Sequence, residues 1–283
     1  MYTGRFAPSP TGELHLGSLF AAVISFLEAK THNGKWLVRI EDIDPPREQE
    51  GASTAILQCL DAHGLHWDGE VMFQSKRYSR YQEIIETLIK KKAIFPCQCS
   101  RKQLSAFNGA HPSQCIQPLN QQQPFALRAP SFSFEFNDLY QGKQTGDDGH
   151  FIVKRREGLF AYQLAVIVDD HDQGISHVIR GYDLLDSTPK QLFLYQALDW
   201  QPPLFGHFPV LVNEDGSKLS KQNLAPAINH ENAIQNLNKV MALLGLPQHQ
   251  DAKSPEQLLE YAVKHWQSSQ TSNVIHKTTL QSA

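Results

Sequence analysis

Apolar positions recur every three to four residues from about Leu16 to Thr31, and the run stops at Asn33-Gly34, which predicts a helix. A short segment, Tyr2 to Phe6, precedes it and opens into the loop Ala7-Pro8-Ser9-Pro10-Thr11-Gly12. Trp36-Leu37-Val38-Arg39-Ile40 has the compact apolar character of a strand, and Asp44-Pro45-Pro46 then breaks the chain. Helical periodicity resumes at Arg47 to His63 and at Ser79 to Lys92. Strand, loop, helix and strand in this order predict a βαβ crossover and hence a parallel sheet.

From Pro96 to about Gly149 the pattern changes to short alternating runs such as Phe132-Ser133-Phe134-Glu135-Phe136, rich in Gln, Pro and Cys. An insertion of loops and antiparallel strands is expected there. Helical pattern returns at Ala161 to Asp169, then strand at Ser176 to Arg180 and helix at Thr188 to Leu198. His207 to Asn213 reads as a strand entering a polar loop, Glu214 to Asn223. Amphipathic stretches follow at about Glu231 to Leu244 and Pro255 to Trp266. The expected organisation is a catalytic α/β unit in two halves, 1–95 and 150–222, with an insertion at 96–149. A short helical region at 223–266 and a disordered Ser/Thr/Gln-rich tail at 267–283 complete it.

With 283 residues and 41% hydrophobic residues the chain can bury a substantial core. A net charge of −3 gives no global sign of a nucleic-acid partner, whose phosphates need local Lys and Arg. Local basic groups exist at Lys90, Lys91 and Lys92, at Arg101 and Lys102, and at Lys154, Arg155 and Arg156. The first residues lack the apolar run of a signal peptide, and no stretch approaches the ~18 apolar residues of a membrane span. The expected location is the cytoplasm, with reduced thiols.

Two groups of residues carry chemistry. Gly12-Glu13-Leu14-His15-Leu16-Gly17-Ser18 immediately precedes a helix, whose start suits a polyphosphate; Gly17 permits close approach and His15 can donate to phosphate. Lys218-Leu219-Ser220-Lys221 lies in a polar loop after a strand, where ammonium groups can stabilise charge that develops on departing pyrophosphate. Separately, Cys97, Cys99, His111 and Cys115 offer four ligands within nineteen residues, and a structural zinc is expected on them. Cys59 is expected in the core. Asp169, Asp170 and Asp172 read as structural or solvent-facing carboxylates.

His15-Leu16-Gly17-Ser18 and Lys218-Leu219-Ser220-Lys221-Gln222 resemble the two motifs of the class I aminoacyl-tRNA synthetases. Ser18 and Gln222 depart from the usual residues, and Lys221 is retained. Arg5-Phe6-Ala7-Pro8-Ser9-Pro10-Thr11-Gly12 and Ile40-Glu41-Asp42-Ile43-Asp44-Pro45-Pro46-Arg47 are similar to motifs of the glutamyl enzymes. The resemblance implies a Rossmann-like parallel sheet with a zinc-containing insertion and a short C-terminal helical region.

It also implies catalytic roles for His15 and Lys221, and ATP contacts from His15, Gly17, Ser18, Lys218, Ser220 and Lys221. Arg5 and Arg180 are implied on the glutamate side-chain carboxylate, with Ser9 and Glu41 on the amino end. Tyr162 would line the pocket and Ala7 would contribute backbone. The glutaminyl enzymes lack the first of these arginines, which favours glutamate.

After Lys221 sixty-two residues remain, so an anticodon-binding domain is expected to be absent. Together with the Cys/His cluster, this directs the resemblance to the glutamyl-queuosine tRNA(Asp) synthetases. The implied partners are ATP with Mg²⁺, L-glutamate and tRNA(Asp) bearing queuosine, acting on a monomer. The alternatives are a short ligase charging the 3′ end of tRNA(Glu), a non-catalytic tRNA-binding relative, and an adenylate-forming ligase for another small acid.

Overall fold

In the computed structural model the described residues are 1–105, 120, 122–213, 216–217, 219, 226–266 and 279–281. In chain order they form β1 (Thr3–Phe6), α1 (Leu16–Thr31), β2 (Lys35–Ile40), α2 (Ala52–Ala62), β3 (Met72–Phe73) and α3 (Tyr78–Lys90). The middle of the chain forms β4 (Phe95–Cys97), α4 (Arg101–Ser105), β5 (Ala126–Ala129), β6 (Phe132–Asp138), β7 (Gly142–Asp148) and β8 (Phe151–Lys154). Then come α5 (Tyr162–Asp172), β9 (His177–Gly181), α6 (Thr188–Ala197), β10 (Leu204–Phe208) and β11 (Val210–Val212). The last elements are α7 (Ala233–Leu243), α8 (Pro255–His265) and β12 (Thr279–Gln281).

Strands β1, β2 and β3 pair in parallel in that order, with Arg5 opposite Leu37. β9 and β10 form a second parallel pair, with Arg180 opposite His207. The two are joined where the Thr3 N–H donates to Ser176 Oγ at 2.8 Å and the Ser176 N–H to Thr3 O at 2.9 Å. Strands therefore extend outward on both sides of β1, and a crevice opens beyond its carboxyl end, where α/β sheets bind ligands.

Helix α1 packs behind this sheet, and every residue from Leu19 to Ala29 except Ala21 is buried. It ends where Asn33 turns left-handed (φ 49) and Gly34 lies against Tyr2 so closely that a Cβ would meet the Tyr2 carbonyl oxygen at 2.6 Å. Helices α7 and α8 cover its other side, with α8 started by Ser254, whose side chain accepts from the Gln257 N–H, and by Pro255. A second core gathers around α3, α5 and α6, to which α3 contributes Tyr81, Ile84, Ile85 and Leu88 at helical spacing. Glu28, buried inside α1, accepts hydrogen bonds from Tyr140 Oη at 2.6 Å and Trp266 Nε1 at 3.1 Å.

The middle segment is antiparallel: β4-β5-β8 form one sheet and β6-β7 a hairpin. The expectation of a parallel sheet with a zinc-containing insertion is thus corrected on two counts. The sheets are mixed, and among the described residues no group of three or more His, Cys, Asp or Glu is placed to hold a metal ion. Cys97 and Cys99 are instead buried with Leu104 in a small apolar cluster, where the Cys99 N–H donates to Cys97 Sγ at 3.3 Å. His111 and Cys115 lie outside the described residues. Within the stretch expected to be disordered, Thr279–Gln281 pairs in parallel with β11.

Candidate active site

A cavity of about 420 Å³ occupies the crevice, and Arg5, Ala7, Ser9, His15, Tyr162 and Arg180 all line it. Gly17 and Ser18 also border it. Lys218, Ser220 and Lys221 lie outside the described residues, whereas Leu219, between them, reaches the cavity wall. Glu41 borders a smaller cavity, about 70 Å³, that shares Ser9 and Tyr162 as walls with the first.

His15 is the N-cap of α1. Its Nδ1 accepts from the Gly17 N–H at 3.1 Å, so the neutral ring carries its proton on Nε2 as a donor. The Ser18 and Leu19 N–H groups turn back to the His15 carbonyl at 2.9 and 3.0 Å. The helix start therefore engages its own first amides, and His15 and the Ser18 hydroxyl are the side-chain groups it offers the cavity. A Cβ on Gly17 would meet the His15 ring at 3.0 Å and Leu219 O at 3.2 Å, so only glycine fits between them without displacement.

The two arginines are held differently. Arg5, on β1, donates to both oxygens of Asp170, from Nε at 3.0 Å and Nη2 at 3.3 Å. Arg39 of β2 reaches the same carboxylate at 2.8 Å and Glu41 at 3.3 Å. Burial alone would raise the Asp170 pKa, but Arg5 and Arg39 together hold it below the ordinary carboxylate range. Glu41 moves the other way, because burial outweighs its attraction to Arg39 and Arg5.

Arg180, on β9, has neutral partners. Its Nε donates to His207 Nε2 at 3.0 Å, and Nη2 donates to Thr188 Oγ1 at 2.8 Å and to Leu184 O at 3.4 Å. Nη1 reaches Tyr162 Oη at 3.4 Å, and the guanidinium lies 5.3 Å from the Phe205 ring centroid. Among the described residues no ion pair holds it, although Asp170 and Glu41 act on it electrostatically. Only 5% of Arg180 is exposed, and burial lowers its pKa.

His207 is kept as an acceptor by Asp138 at the end of β6. That carboxylate takes the His207 Nδ1–H and the backbone N–H groups of Tyr140, Gln141 and His207. Burial pushes the His207 pKa down, against the pull of Asp138. The ring is thus neutral, with Nε2 presenting its lone pair to Arg180.

The motifs did not point to Asp138, Thr188, His207 or the pairing role of Asp170. One signal was available: Arg39 sits inside an apolar strand, and a buried charge there requires an opposite charge.

Fold and cavity are those of a class I aminoacyl-tRNA synthetase catalytic domain. The family profile "tRNA synthetases class I (E and Q), catalytic domain" matches residues 2–251. A glutamate tRNA ligase from Elizabethkingia meningosepticum, solved with its amino acid, superimposes with a TM-score of 0.80 at 23% identity, over 100% of this chain and 67% of that one. A glutamyl-Q tRNA(Asp) synthetase from Neisseria meningitidis serogroup A is 46% identical over 94% of this chain and 96% of its own length. Another from Pseudomonas putida is 43% identical over 94% and 91%. The chain belongs to the glutamyl-Q tRNA(Asp) synthetase family. No helix among its described residues is long and apolar enough to cross a membrane.

Proposed function

We propose that the protein activates L-glutamate with ATP and transfers the glutamyl group to the queuosine base of tRNA(Asp). The observation that carries this reading is Arg180: a guanidinium buried beside the cavity whose hydrogen-bond partners among the described residues are all neutral. Such a charge costs several kcal/mol unless an anion joins it (on the order of 3–5), and the distal carboxylate of glutamate is an anion of suitable size. Arg5, across the same cavity, adds a second guanidinium whose direction Asp170 fixes. Ser9 and Glu41 receive the ammonium group, Tyr162 walls the side chain, and Ala7 contributes backbone.

With its side chain so held, the glutamate α-carboxylate faces the α1 start. One carboxylate oxygen attacks the α-phosphorus of MgATP, and the bond from that phosphorus to pyrophosphate breaks. His15 Nε2–H donates to a phosphate oxygen, Gly17 leaves room for the nucleotide, and Ser18 adds a hydroxyl. Lys218, Ser220 and Lys221 are assigned to the leaving pyrophosphate on the strength of their motif. A hydroxyl of the queuosine cyclopentene diol then attacks the acyl carbon, AMP departs, and its phosphate takes the proton.

Glutamate-dependent ATP–pyrophosphate exchange tests the first step, and transfer of labelled glutamate to tRNA(Asp) with and without queuosine tests the second. Exchange with glutamate and acylation only of queuosine-containing tRNA(Asp) are expected. Acylation of tRNA(Glu) at its 3′ end would assign a different acceptor, and the absence of exchange would remove the enzymatic reading.

A further inference from the structure

The smaller cavity is polar: Glu41, Ser9 and Gln74 border it as acceptors, Arg47 is paired with Asp44 at its edge, and Arg155 adds a further cation. Gln74 is fully buried, yet its Oε1 has no hydrogen-bond partner among the described residues. A buried amide oxygen left without a donor is costly and calls for an explanation. The other end of the amide is accounted for: Nε2 donates to Asp169 Oδ2 at 2.8 Å. The same carboxylate takes Tyr81 Oη at 2.7 Å and Arg77 Nε at 3.1 Å. A flipped amide would set oxygen against oxygen at Asp169, so Oε1 is locked away from it.

We propose that Gln74 is a substrate-binding residue, its Oε1 accepting a hydrogen bond from the α-ammonium group of glutamate beside Glu41 and Ser9. This rests on the reading of glutamate as the substrate. An ammonium has three donors. Glu41 supplies a charged acceptor, and its second interaction is with Arg39 at 3.3 Å. Ser9 supplies a hydroxyl, and Gln74 completes the set. The subsite then discriminates by chemistry: a dicarboxylic acid lacking the amine satisfies Arg5 and Arg180 but leaves Gln74 Oε1 without a donor and Glu41 with Arg39 alone. Sites that bind a substrate N–H reject analogues lacking it far more strongly than apolar pockets reject a missing methylene.

The test is the ratio of affinities for L-glutamate and glutarate, its des-amino analogue, measured calorimetrically on the full chain. Wild type is expected to prefer glutamate. Gln74→Met removes the acceptor and should weaken glutamate roughly ten- to hundredfold while changing glutarate by less than about threefold. Gln74→Lys keeps a donor for Asp169, which supports the fold, removes the amide oxygen and brings a cation beside the ammonium subsite. It should reverse the preference, so that glutarate binds better than glutamate. An unchanged preference for glutamate in Gln74→Lys, or equal loss of both ligands in Gln74→Met, would overturn the assignment. Arg180→Met serves as the reference. If it leaves both ligands unaffected, the glutamate reading of the cavity fails; if it weakens both while the Gln74 variants leave the ratio intact, only the present inference fails.

Discussion

The two sides of the cavity solve the problem of burying a guanidinium in opposite ways. On the β1 side Arg5 is neutralised in advance by Asp170, which Arg39 shares, so the charge is balanced before any ligand arrives. On the β9 side Arg180 is surrounded by an imidazole, a hydroxyl, a phenol and a carbonyl, all neutral. The first arrangement favours rigidity and the second affinity. A paired arginine lends direction, whereas an unpaired one lends a charge still to be satisfied.

The largest consequence should appear at Arg180. Arg180→Met is expected to lower kcat/KM for glutamate in pyrophosphate exchange roughly a thousandfold. Its melting temperature should stay level or rise, since an unbalanced buried cation has been removed. A clear loss of thermal stability would mean that Arg180 is balanced within the protein after all.

Asp170→Asn should do the reverse and act first on the fold. It strands Arg5 and Arg39, and urea unfolding should show a loss of about 3 kcal/mol. A loss below about 1 kcal/mol, the level of an exposed pair, would show that the Arg5 side is less tightly coupled than described.

Asp138→Asn comes next. Without the carboxylate, His207 no longer holds its proton on Nδ1, and Arg180 loses a defined acceptor. A rise in KM for glutamate of roughly tenfold, with kcat little changed, is expected from the loss of such an orienting partner. Equal falls in kcat and kcat/KM would instead place Asp138 in the chemical step.

The smallest effect is that of pH. His207 has a folded pKa below its ordinary value of 6.5, so the unfolded chain binds the extra proton first as pH falls. The stability tied to the neutral ring is complete above 6.5 and is lost as pH drops toward the folded pKa. The protein should therefore be less stable to urea at about pH 5.5 than at about pH 7.5, and the difference should shrink in His207→Asn. An identical difference in the variant would exclude His207 as its source.

Legibility in the sequence followed the range over which each feature is determined. Helix α1 was readable end to end at Leu16–Thr31, because its apolar run is continuous and Asn33-Gly34 stops it. The stretch from Arg47 to His63 was read as one helix but divides, because Gly51 takes φ 77 and α2 starts only at Ala52. His207 to Asn213 was read as one strand but belongs to two, separated at Pro209, which has no N–H for a ladder.

Motif positions such as Arg5, His15 and Arg180 could be named from local strings, and the fold brings them to one cavity. Their supports could not be so named. Asp170 is 165 residues from Arg5, Asp138 is 69 from His207 and Asp169 is 95 from Gln74, and no local pattern encodes such pairings. The zinc expectation is not met among the described residues, which hold Cys97 and Cys99 in a small apolar cluster and include neither His111 nor Cys115.

Glu28 ties the timing of folding to the length of chain already made. Its Oε1 takes donors from Tyr140 and Trp266, residues that leave the ribosome long after α1 itself. Until Trp266 emerges, sealing that carboxylate beneath the C-terminal helices lacks one of its two compensating bonds. The amino-terminal half can form its strands and helix early, but its final closure waits until α8 and Trp266 have been synthesised.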